Sequence, residues 1–404
     1  MSPPPDSPAP ATGAAPAPLP ELAGRTILQA IPELDAGGAE RTVLEITEAL
    51  REAGARSLVA TRGGRMARDL EALGGEVVRI DARSKNPLTL RANSRRLAAL
   101  VAARGIDLIH ARSRAPAWSA LWAARKAGAA FVTTYHGAYS GGNRAKILYN
   151  SVMARGDRVI ANSDWMAAHV RAVHGLGEDR LVTIKRGVDL MSFDPDTIPP
   201  ERARDQRAAW GLHPDDRRLV LLLPGRLTDW KGQRLAVSAL ARMSDEERAE
   251  RVLVCMGDAQ GRADYVEALQ RDVAEAGLTG AVIIAPHSPD MPAALLAADI
   301  VISASIRPEA FGRIVAEGSA MGRPVIAPDH GGAREIVLDG ETGTRFAPGD
   351  PHALAGAIRT LVALGERGRK ALGETGRAHI AANYSKRGLQ AATLGVYSQL
   401  LGAR

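Results

Sequence analysis

The sequence has one cysteine and few aromatic residues, and each shortage limits what the chain can be. Because Cys255 is the sole cysteine among 404 residues, neither an intrachain disulfide nor a cysteine metal cluster can form. It lies in the apolar stretch 252–256, which is typical of a buried strand, so we expect it to be a small core residue. Aromatic residues make up 4% of the chain and leave few rings to stack on bases, so we expect no nucleic-acid partner.

Long hydrophobic runs are also missing. No stretch reaches the roughly 18 consecutive apolar residues of a membrane-spanning helix, and the first residues lack the pattern of a secretory signal. Residues 1–23 are rich in proline and alanine, which predicts a disordered tail. Since no disulfide framework is present either, we expect a cytoplasmic protein, soluble or peripheral on the inner face of the membrane.

Acidic residues are scarce between positions 83 and 158. Fourteen Lys or Arg residues there are opposed by Asp107 and Asp157 alone, so the segment carries +12 whereas the whole chain carries +7. Such a surface suits an anionic membrane or an anionic acceptor, although a solvated arginine-rich surface has the same composition.

The apolar pattern alternates between strands and helices in two successive series. In the first half it predicts strands at 25–30, 57–60, 77–80, 107–110, 131–135 and 159–162, with helices at 41–52, 66–73, 90–103 and 115–127. In the second half it predicts strands at 219–223, 251–256, 281–285, 300–303 and 324–327, with helices at 233–243 and 263–276. This α/β alternation is typical of parallel, doubly wound sheets with right-handed crossovers.

A segment rich in proline and aspartate, 193–200, separates the two halves. We therefore predict a first domain at 24–192, a second at 193–384, and a C-terminal helical segment at 385–404 that packs back on the first domain. Two such domains facing each other would leave a cleft lined by the carboxyl ends of strands, where open α/β sheets bind ligands.

Two glutamates eight residues apart are the most informative feature. Gly312 lies between Glu309 and Glu317 where a helix could begin, which predicts Glu309 in the preceding loop and Glu317 two turns inside the helix. Free N–H groups at a helix start attract phosphate, so this layout suits a nucleotide-sugar. Two ordinary surface glutamates remain the alternative.

A basic turn follows the strand at 219–223. Arg226 can hold phosphate oxygens in a bidentate manner, and Lys231 adds a second positive charge, so together they could stabilise a departing diphosphate. A solvated surface turn would have the same residues.

Other strand ends carry glycine or polar residues. The backbone of Gly37 and Gly38 could approach a phosphate closely, and His136 is expected to point into the cleft. Three further positions after strands are expected to hold the base or ribose: Gly257, Asp258 and His287. The Asp194–Asp196 pair lies in the linker, so we expect neither a metal ion nor a cofactor.

From about Ile27 to the C-terminus, the chain resembles the retaining glycosyltransferases of family 4. The basic turn and the glutamate pair follow each other in the order typical of that family, and they are followed by Met321–Ala327, Gly331, Gly332 and Glu335. The resemblance implies a GT-B fold of two Rossmann-like domains and a metal-independent hexosyltransferase that uses a UDP- or GDP-sugar as substrate. For such an enzyme we expect front-face attack, in which the leaving diphosphate accepts the acceptor proton.

Roles for individual residues follow from the same resemblance. Glu309 would contact hydroxyls of the donor sugar, Glu317 the ribose, and His136 the sugar site. The residues implied to contact the diphosphate or the rest of the donor are Arg226, Lys231, Gly37, Gly38, Phe311, Gly312 and Arg313. One departure is Arg186, which precedes Gly187-Val188-Asp189 where the family usually has asparagine.

The run 110–119 resembles one in lipopolysaccharide-type transferases. Arg112 and Arg114 follow a strand end there, so we predict that they bind the phosphate or carboxylate of an anionic glycolipid or saccharide acceptor. Surface arginines at a helix start are the alternative.

Three other functions remain open at this point. A glycoside hydrolase could use Glu309 and Glu317, provided that their carboxyl groups lie close together. A nucleotide-sugar epimerase would act without an acceptor, and a non-catalytic protein would bind a nucleotide without turnover.

Overall fold

The computed structural model describes residues 18–35, 37–139 and 144–403, which form two compact units. The N-terminal unit ends at Gly187 and includes the chain again from Lys386, and the C-terminal unit is Val188–Ser385. A disordered tail was predicted at 1–23, and residues 1–17 of that range lie outside the described residues. Leu22 is 4% exposed in the core and its N–H donates to the carbonyl of Ala53, so the predicted tail extends too far.

The N-terminal unit contains a seven-stranded parallel sheet and its helices. The strands are β1 (Thr26–Ala30), β2 (Arg56–Thr61), β3 (Glu76–Arg79), β4 (Leu108–Ala111), β5 (Ala130–Tyr135), β6 (Arg158–Ala161) and β7 (Leu181–Thr183). The helices are α1 (Gly38–Glu52), α2 (Ala67–Ala72), α3 (Pro87–Arg104), α4 (Arg114–Ala127), α5 (Arg144–Asn150) and α6 (Asp164–His174).

The C-terminal unit contains a six-stranded parallel sheet. Its strands are β8 (Leu219–Pro224), β9 (Arg251–Met256), β10 (Val282–Ala285), β11 (Ile300–Ile302), β12 (Val325–Pro328) and β13 (Gly343–Phe346). Its helices are α7 (Pro200–Ala209), α8 (Gln233–Leu240), α9 (Asp245–Ala249), α10 (Ala263–Glu275), α11 (Met291–Ala297), α12 (Arg313–Ala320), α13 (Ala333–Ile336), α14 (Pro351–Ala363) and α15 (Gly365–Asn383).

Strand order confirms the predicted doubly wound α/β fold. The first sheet runs β3-β2-β1-β4-β5-β6-β7 and the second β10-β9-β8-β11-β12-β13. The order therefore reverses between β1 and β4 in one sheet and between β8 and β11 in the other. In sheets of this kind, ligands bind beyond the carboxyl ends of the strands at that reversal.

The central strands are buried almost throughout, as expected for parallel sheets whose two faces are covered by helices. Cys255 is fully buried in β9, as predicted, and burial raises the pKa of its thiol to about 12. The last helix, α16 (Lys386–Gly402), packs against α1 in the N-terminal unit, where Leu394 and Tyr397 are fully buried. Of the described helices, none has both the length and the apolar character needed to cross a membrane.

Candidate active site

An ion pair lies at the point where strand order reverses in the C-terminal sheet. Lys231 belongs to a 3₁₀ turn after β8, and Glu309 lies in the loop after the neighbouring strand β11. The Nζ atom of Lys231 is 2.7 Å from Oε1 of Glu309, and the side chains are 14% and 21% exposed. Ser305 donates its hydroxyl to the same carboxylate oxygen. The sequence thus led to both charged residues, whereas Ser305 was not predicted.

The glycine pair after β12 fixes the backbone at Glu309. The N–H of Gly332 donates to the carbonyl oxygen of Glu309 over 2.8 Å. Gly331 has a φ of 62°, and a Cβ atom on it would lie 2.5 Å from the same oxygen. Only glycine tolerates both the conformation and this close approach, so the loop after β12 holds Glu309 in place.

Arg226 is exposed beside Lys231. Its guanidinium carbon lies 5.6 Å from the centre of the Trp230 ring, and Nζ of Lys231 lies 4.5 Å from that ring. In the described part of the chain, no hydrogen bond or ion pair engages the Arg226 guanidinium. Its positive charge therefore faces solvent without compensation, as a group that binds an anionic ligand would.

Two buried residues that the sequence analysis did not single out fix the backbone of the basic turn at Arg226. Gln233 is fully buried at the start of α8 and donates from Nε2 to the carbonyl oxygen of Arg226 over 3.0 Å. The hydroxyl of Tyr265 donates to Oε1 of Gln233 over 2.9 Å. The sequence did hold a signal for Gln233, because it is a polar residue on the otherwise apolar face of α8.

The predicted residues after β9 act mainly through the backbone. A Cβ atom on Gly257 would lie 1.8 Å from the carbonyl oxygen of Gly225, so glycine is needed where the two strand ends meet. The carbonyl of Asp258 accepts from the N–H of Leu227 over 3.0 Å, and its carboxylate accepts from the N–H of Gln260.

The helix predicted around Gly312 is α12, which begins at Arg313. Glu317 therefore lies about one turn inside the helix, not two as predicted. It is 5% exposed, and its Oε1 is 3.2 Å from Nη1 of Arg313. No side chain caps the helix start at Gly312, whose φ is 109°. The N–H groups of this first turn are a suitable site for phosphate.

Phe311 and His287 differ from each other in accessibility. Phe311 was predicted to contact the donor, but its side chain is 5% exposed and packs against Tyr384 in the core. The turn before α12 directs that side chain inward, so a donor contact at Phe311 stays a prediction for its backbone. His287 is exposed and lines a pocket of about 360 Å³. Gln206 on α7 and Trp210, which follows that helix, line the same pocket.

In the N-terminal unit, Arg186 brings Gly38 and His136 together. Arg186 is 8% exposed, and its Nη2 lies 3.3 Å from both Oγ1 of Thr42 and Nδ1 of His136. A Cβ atom on Gly38 would lie 2.2 Å from Nη1 of Arg186. Gly37 precedes α1 with a φ of 145° and provides no side-chain cap. The sequence marked Arg186 only as a departure from the family pattern.

His136 is half-buried, and its Nε2 is enclosed without a hydrogen-bond partner among the described residues. Burial, together with the nearby cations Arg186 and Arg112, holds the pKa of His136 well below its usual range. Its imidazole is therefore neutral at pH 7.

Arg112 was predicted to bind the phosphate or carboxylate of an acceptor, but it is 2% exposed. Its Nε and Nη2 donate to Oε1 of Gln29 over 3.1 and 2.8 Å. The neighbouring His110 is also buried, with Nδ1 2.5 Å from the hydroxyl of Tyr397 and Nε2 2.7 Å from Oγ1 of Thr134. The prediction is wrong because α1 and α16 cover the end of this central strand, which the local sequence cannot indicate.

Arg114 lies at the start of α4 and is half-buried. It donates from Nη1 to Oδ1 of Asn150 over 2.8 Å, and its guanidinium carbon lies 4.0 Å from the centre of the Tyr139 ring. Its charge stays partly accessible, while its position is fixed by these two contacts.

Comparison with known proteins assigns the family. Residues 36–191 match the model Glycosyltransferase Family 4, and residues 205–379 match Glycosyl transferases group 1. The chain therefore belongs to the family 4 glycosyltransferases and has their GT-B fold.

Solved structures similar to this chain cover nearly all of it. A glycosyltransferase from Rickettsia africae ESF-5 is 31% identical with a TM-score of 0.87, over 94% of this chain and 99% of that one. Anabaena HepE, solved in complex with UDP and glucose, is 25% identical with a TM-score of 0.79, over 92% and 99% of the two chains. WaaG, a glycosyltransferase involved in lipopolysaccharide biosynthesis, is 17% identical with a TM-score of 0.72, which shows the fold alone.

Curated relatives include a D-inositol 3-phosphate glycosyltransferase from Xylanimonas cellulosilytica. It is 33% identical over 251 residues, which make up 61% of this chain and 58% of the relative. The chain thus spans a little over half the length of that relative.

Proposed function

We propose that this protein transfers a hexose from a nucleotide-diphosphate sugar to a hydroxyl of an anionic acceptor, with retention at the anomeric carbon and without a metal ion. The observation that carries the proposal is the Lys231–Glu309 pair beside the exposed Arg226, where strand order reverses in the C-terminal sheet. Family membership supports the donor class. The complexes of HepE with UDP and UDP-glucose favour UDP over GDP.

The proposed chemistry uses positioning and charge. Arg226, Lys231 and the N–H groups at the start of α12 would stabilise the negative charge that grows on the leaving diphosphate. Glu309 would accept hydrogen bonds from donor-sugar hydroxyls, and Glu317 from the ribose. As the bond from the anomeric carbon to the phosphate oxygen breaks, the acceptor oxygen bonds to that carbon from the same face. The leaving phosphate oxygen takes the acceptor proton.

The ion pairs favour transfer over glycoside hydrolysis. Glu309 is paired with Lys231, and Glu317 with Arg313. The two carboxyl groups are thus held against cations instead of flanking a scissile bond together. A hydrolase of this type needs one carboxylic acid that keeps its proton to give to the leaving group.

For the acceptor, we favour a phosphate-bearing glycolipid of the lipopolysaccharide type. The basic segment 83–158 and the partly accessible Arg114 suit such an anion. The names of the curated relatives point to a smaller acceptor with the same chemistry, a phosphorylated inositol. Both acceptors therefore belong in the assay.

Peripheral docking on the inner face of an anionic membrane is the corresponding proposal for location. Exposed apolar side chains lie on the two helices that meet at Trp118: Trp122 on α4, and Ile147 and Leu148 on α5, which are 39%, 44% and 60% exposed. The Trp118 and Trp122 rings lie 5.7 Å apart, and Nε1 of Trp118 donates to the carbonyl of Tyr149 in α5. Exposed Arg144 and Lys146 on α5 add positive charge.

Vesicle flotation tests this docking proposal. The protein should bind vesicles that contain phosphatidylglycerol, and the binding should weaken as salt screens the basic residues. The double variant Ile147→Ser, Leu148→Ser should bind less, whereas Val173→Ser, which removes another exposed apolar side chain, should bind like wild type. Equal binding to neutral vesicles would contradict the proposal.

An activity assay tests the function itself. Purified protein is incubated with UDP- and GDP-sugars together with a lipopolysaccharide core lipid or D-inositol 3-phosphate, and released nucleotide and product are measured. We expect transfer from one nucleotide class and an anomeric configuration, read by NMR, that matches the donor. An inverted product would overturn retention, and free sugar released from a simple glycoside would support hydrolysis instead.

A further inference from the structure

Arg186 connects three separate parts of the N-terminal unit. It follows β7 and reaches Thr42 in the first turns of α1 and His136 after β5, each over 3.3 Å. Its other terminal nitrogen lies against Gly38, at the start of α1. A single buried cation therefore joins the start of α1 to the residue that follows β5. These are the two places in this unit where the family resemblance implies contacts to the donor.

We infer that Arg186 is a positioning residue, which holds His136 in the tautomer that carries its proton on Nε2 and fixes the first turn of α1. The inference rests on the proposed function and deepens it. Arginine can only donate hydrogen bonds, so Nδ1 of His136 must be the acceptor in this contact. A neutral imidazole that accepts at Nδ1 carries its proton on Nε2. That N–H lacks a partner within the described ranges, and an oxygen of the bound donor would satisfy it.

The packing around Gly38 argues for the second part of the inference. The hydroxyl of Thr42 donates to the carbonyl of Gly38 over 2.9 Å and accepts from Arg186. Any larger residue at position 38 would collide with the guanidinium, since a Cβ atom there would lie 2.2 Å from Nη1. Glycine at this position thus permits the arginine to approach the helix start.

Three charged or titratable groups face His136. Arg186 follows β7, His110 lies on β4, and Arg112 comes directly after β4. Glu45 of α1 lies near Arg112. Both arginines disfavour a proton on His136. Removing Arg186 should therefore raise the pKa of His136, so that the imidazole becomes protonated at a higher pH than in the wild type.

NMR of ¹⁵N-histidine-labelled full-length protein tests the tautomer directly, with His136→Gln to assign the signal. We expect wild-type His136 to be neutral with its proton on Nε2 throughout pH 6–8. Arg186→Lys keeps a donor and should largely keep the tautomer, whereas Arg186→Met should lose it and titrate at higher pH. Lys185→Ala removes the adjacent cation, which lies 3.3 Å from Asp164, and should leave the signal unchanged. A proton on Nδ1 in the wild type, or a wild-type signal in Arg186→Met, would overturn the inference.

Kinetics tests the consequence for the reaction. In Arg186→Met, kcat should fall roughly 10- to 100-fold, as when an oriented donor is lost, while KM for the donor changes much less. The acid limb of the pH profile should move to higher pH, with partial rescue in Arg186→Lys. Gly38→Ala should act in the same direction, because it displaces the guanidinium. Equal kcat and an unshifted profile in the Met variant, at an unchanged melting temperature, would refute the role.

The two readouts separate this inference from the proposed function. If wild-type protein transfers no sugar, the proposed function fails, whatever the NMR signal shows. If the wild type transfers sugar while the tautomer does not depend on Arg186, only the inference about Arg186 fails.

Discussion

At the scale of single residues, the candidate site depends on charges held in place by close backbone packing. Sequence reasoning found Glu309, Lys231 and Arg226, because charged residues next to glycines after apolar strands are visible in a linear pattern. It missed Ser305, Gln233 and Tyr265, which act through contacts between residues distant in sequence. It did not show that the side chain of Phe311 turns into the core, because the direction of one side chain in a turn depends on tertiary packing.

Glu309→Gln tests the role of the carboxylate at the ion pair. The substitution keeps the shape but removes the negative charge opposite Lys231, so kcat should fall about 100-fold or more if Glu309 acts on the donor sugar. Steady-state kinetics with the best donor measures this change. The control is Glu250→Gln, a 73% exposed glutamate near Arg251, which should retain wild-type kcat. A Glu309→Gln enzyme as active as that control would exclude the assigned role.

Gly331→Ala tests whether the loop after β12 positions Glu309. Alanine at a positive φ costs about 1 kcal/mol, and here its Cβ would also collide with the carbonyl oxygen of Glu309. Gly322→Ala is the matched control, since Gly322 has a φ of 65° with nothing within 4 Å of its Cβ position. Denaturant titration should show a loss of stability in both, whereas donor binding by calorimetry should weaken only in Gly331→Ala. Equal donor affinity in the two variants would argue against this positioning.

At the scale of elements, the apolar pattern found the central strands and the last helix. It missed β7 (Leu-Val-Thr) and β13 (Gly-Thr-Arg-Phe), because each has too few apolar residues to stand out as a strand. Arg112 follows the central strand β4, and the burial of its side chain comes from α1 and α16. The error at Arg112 has a different cause, because coverage by a helix distant in sequence leaves no mark on the local sequence.

Tyr397→Phe tests how α16 contributes to the N-terminal unit. The hydroxyl of Tyr397 lies 2.5 Å from Nδ1 of His110, so its loss leaves that buried nitrogen without this partner. The free energy of unfolding should fall by about 1–3 kcal/mol in denaturant titration.

The control for this variant is Tyr135→Phe. Tyr135 is equally buried, and its hydroxyl lacks a hydrogen-bond partner within the described part of the molecule. Removing that hydroxyl should be neutral or slightly stabilising. If both variants were equally stable, the contact between α16 and His110 would contribute nothing measurable.

At the scale of the whole molecule, the sequence predicted the fold class because two series of alternating strands and helices specify two parallel sheets. The matches to both family models and the likeness to the Rickettsia africae structure confirm that prediction. The choice of sugar and acceptor does not follow from the fold, since a few side chains at the strand ends decide it.

The central claim is that the C-terminal unit binds a nucleoside diphosphate through Arg226 and its neighbours. Calorimetric titration of the full chain with UDP and GDP tests it most directly, with Arg226→Ala and, as control, Arg204→Ala on α7, whose side chain is 76% exposed. We predict that one nucleotide binds to wild type and to Arg204→Ala, and that binding to Arg226→Ala is at least about 10-fold weaker, as expected for loss of a charge-assisted contact. Absence of binding by either nucleotide, or equal affinity in Arg226→Ala, would contradict the account.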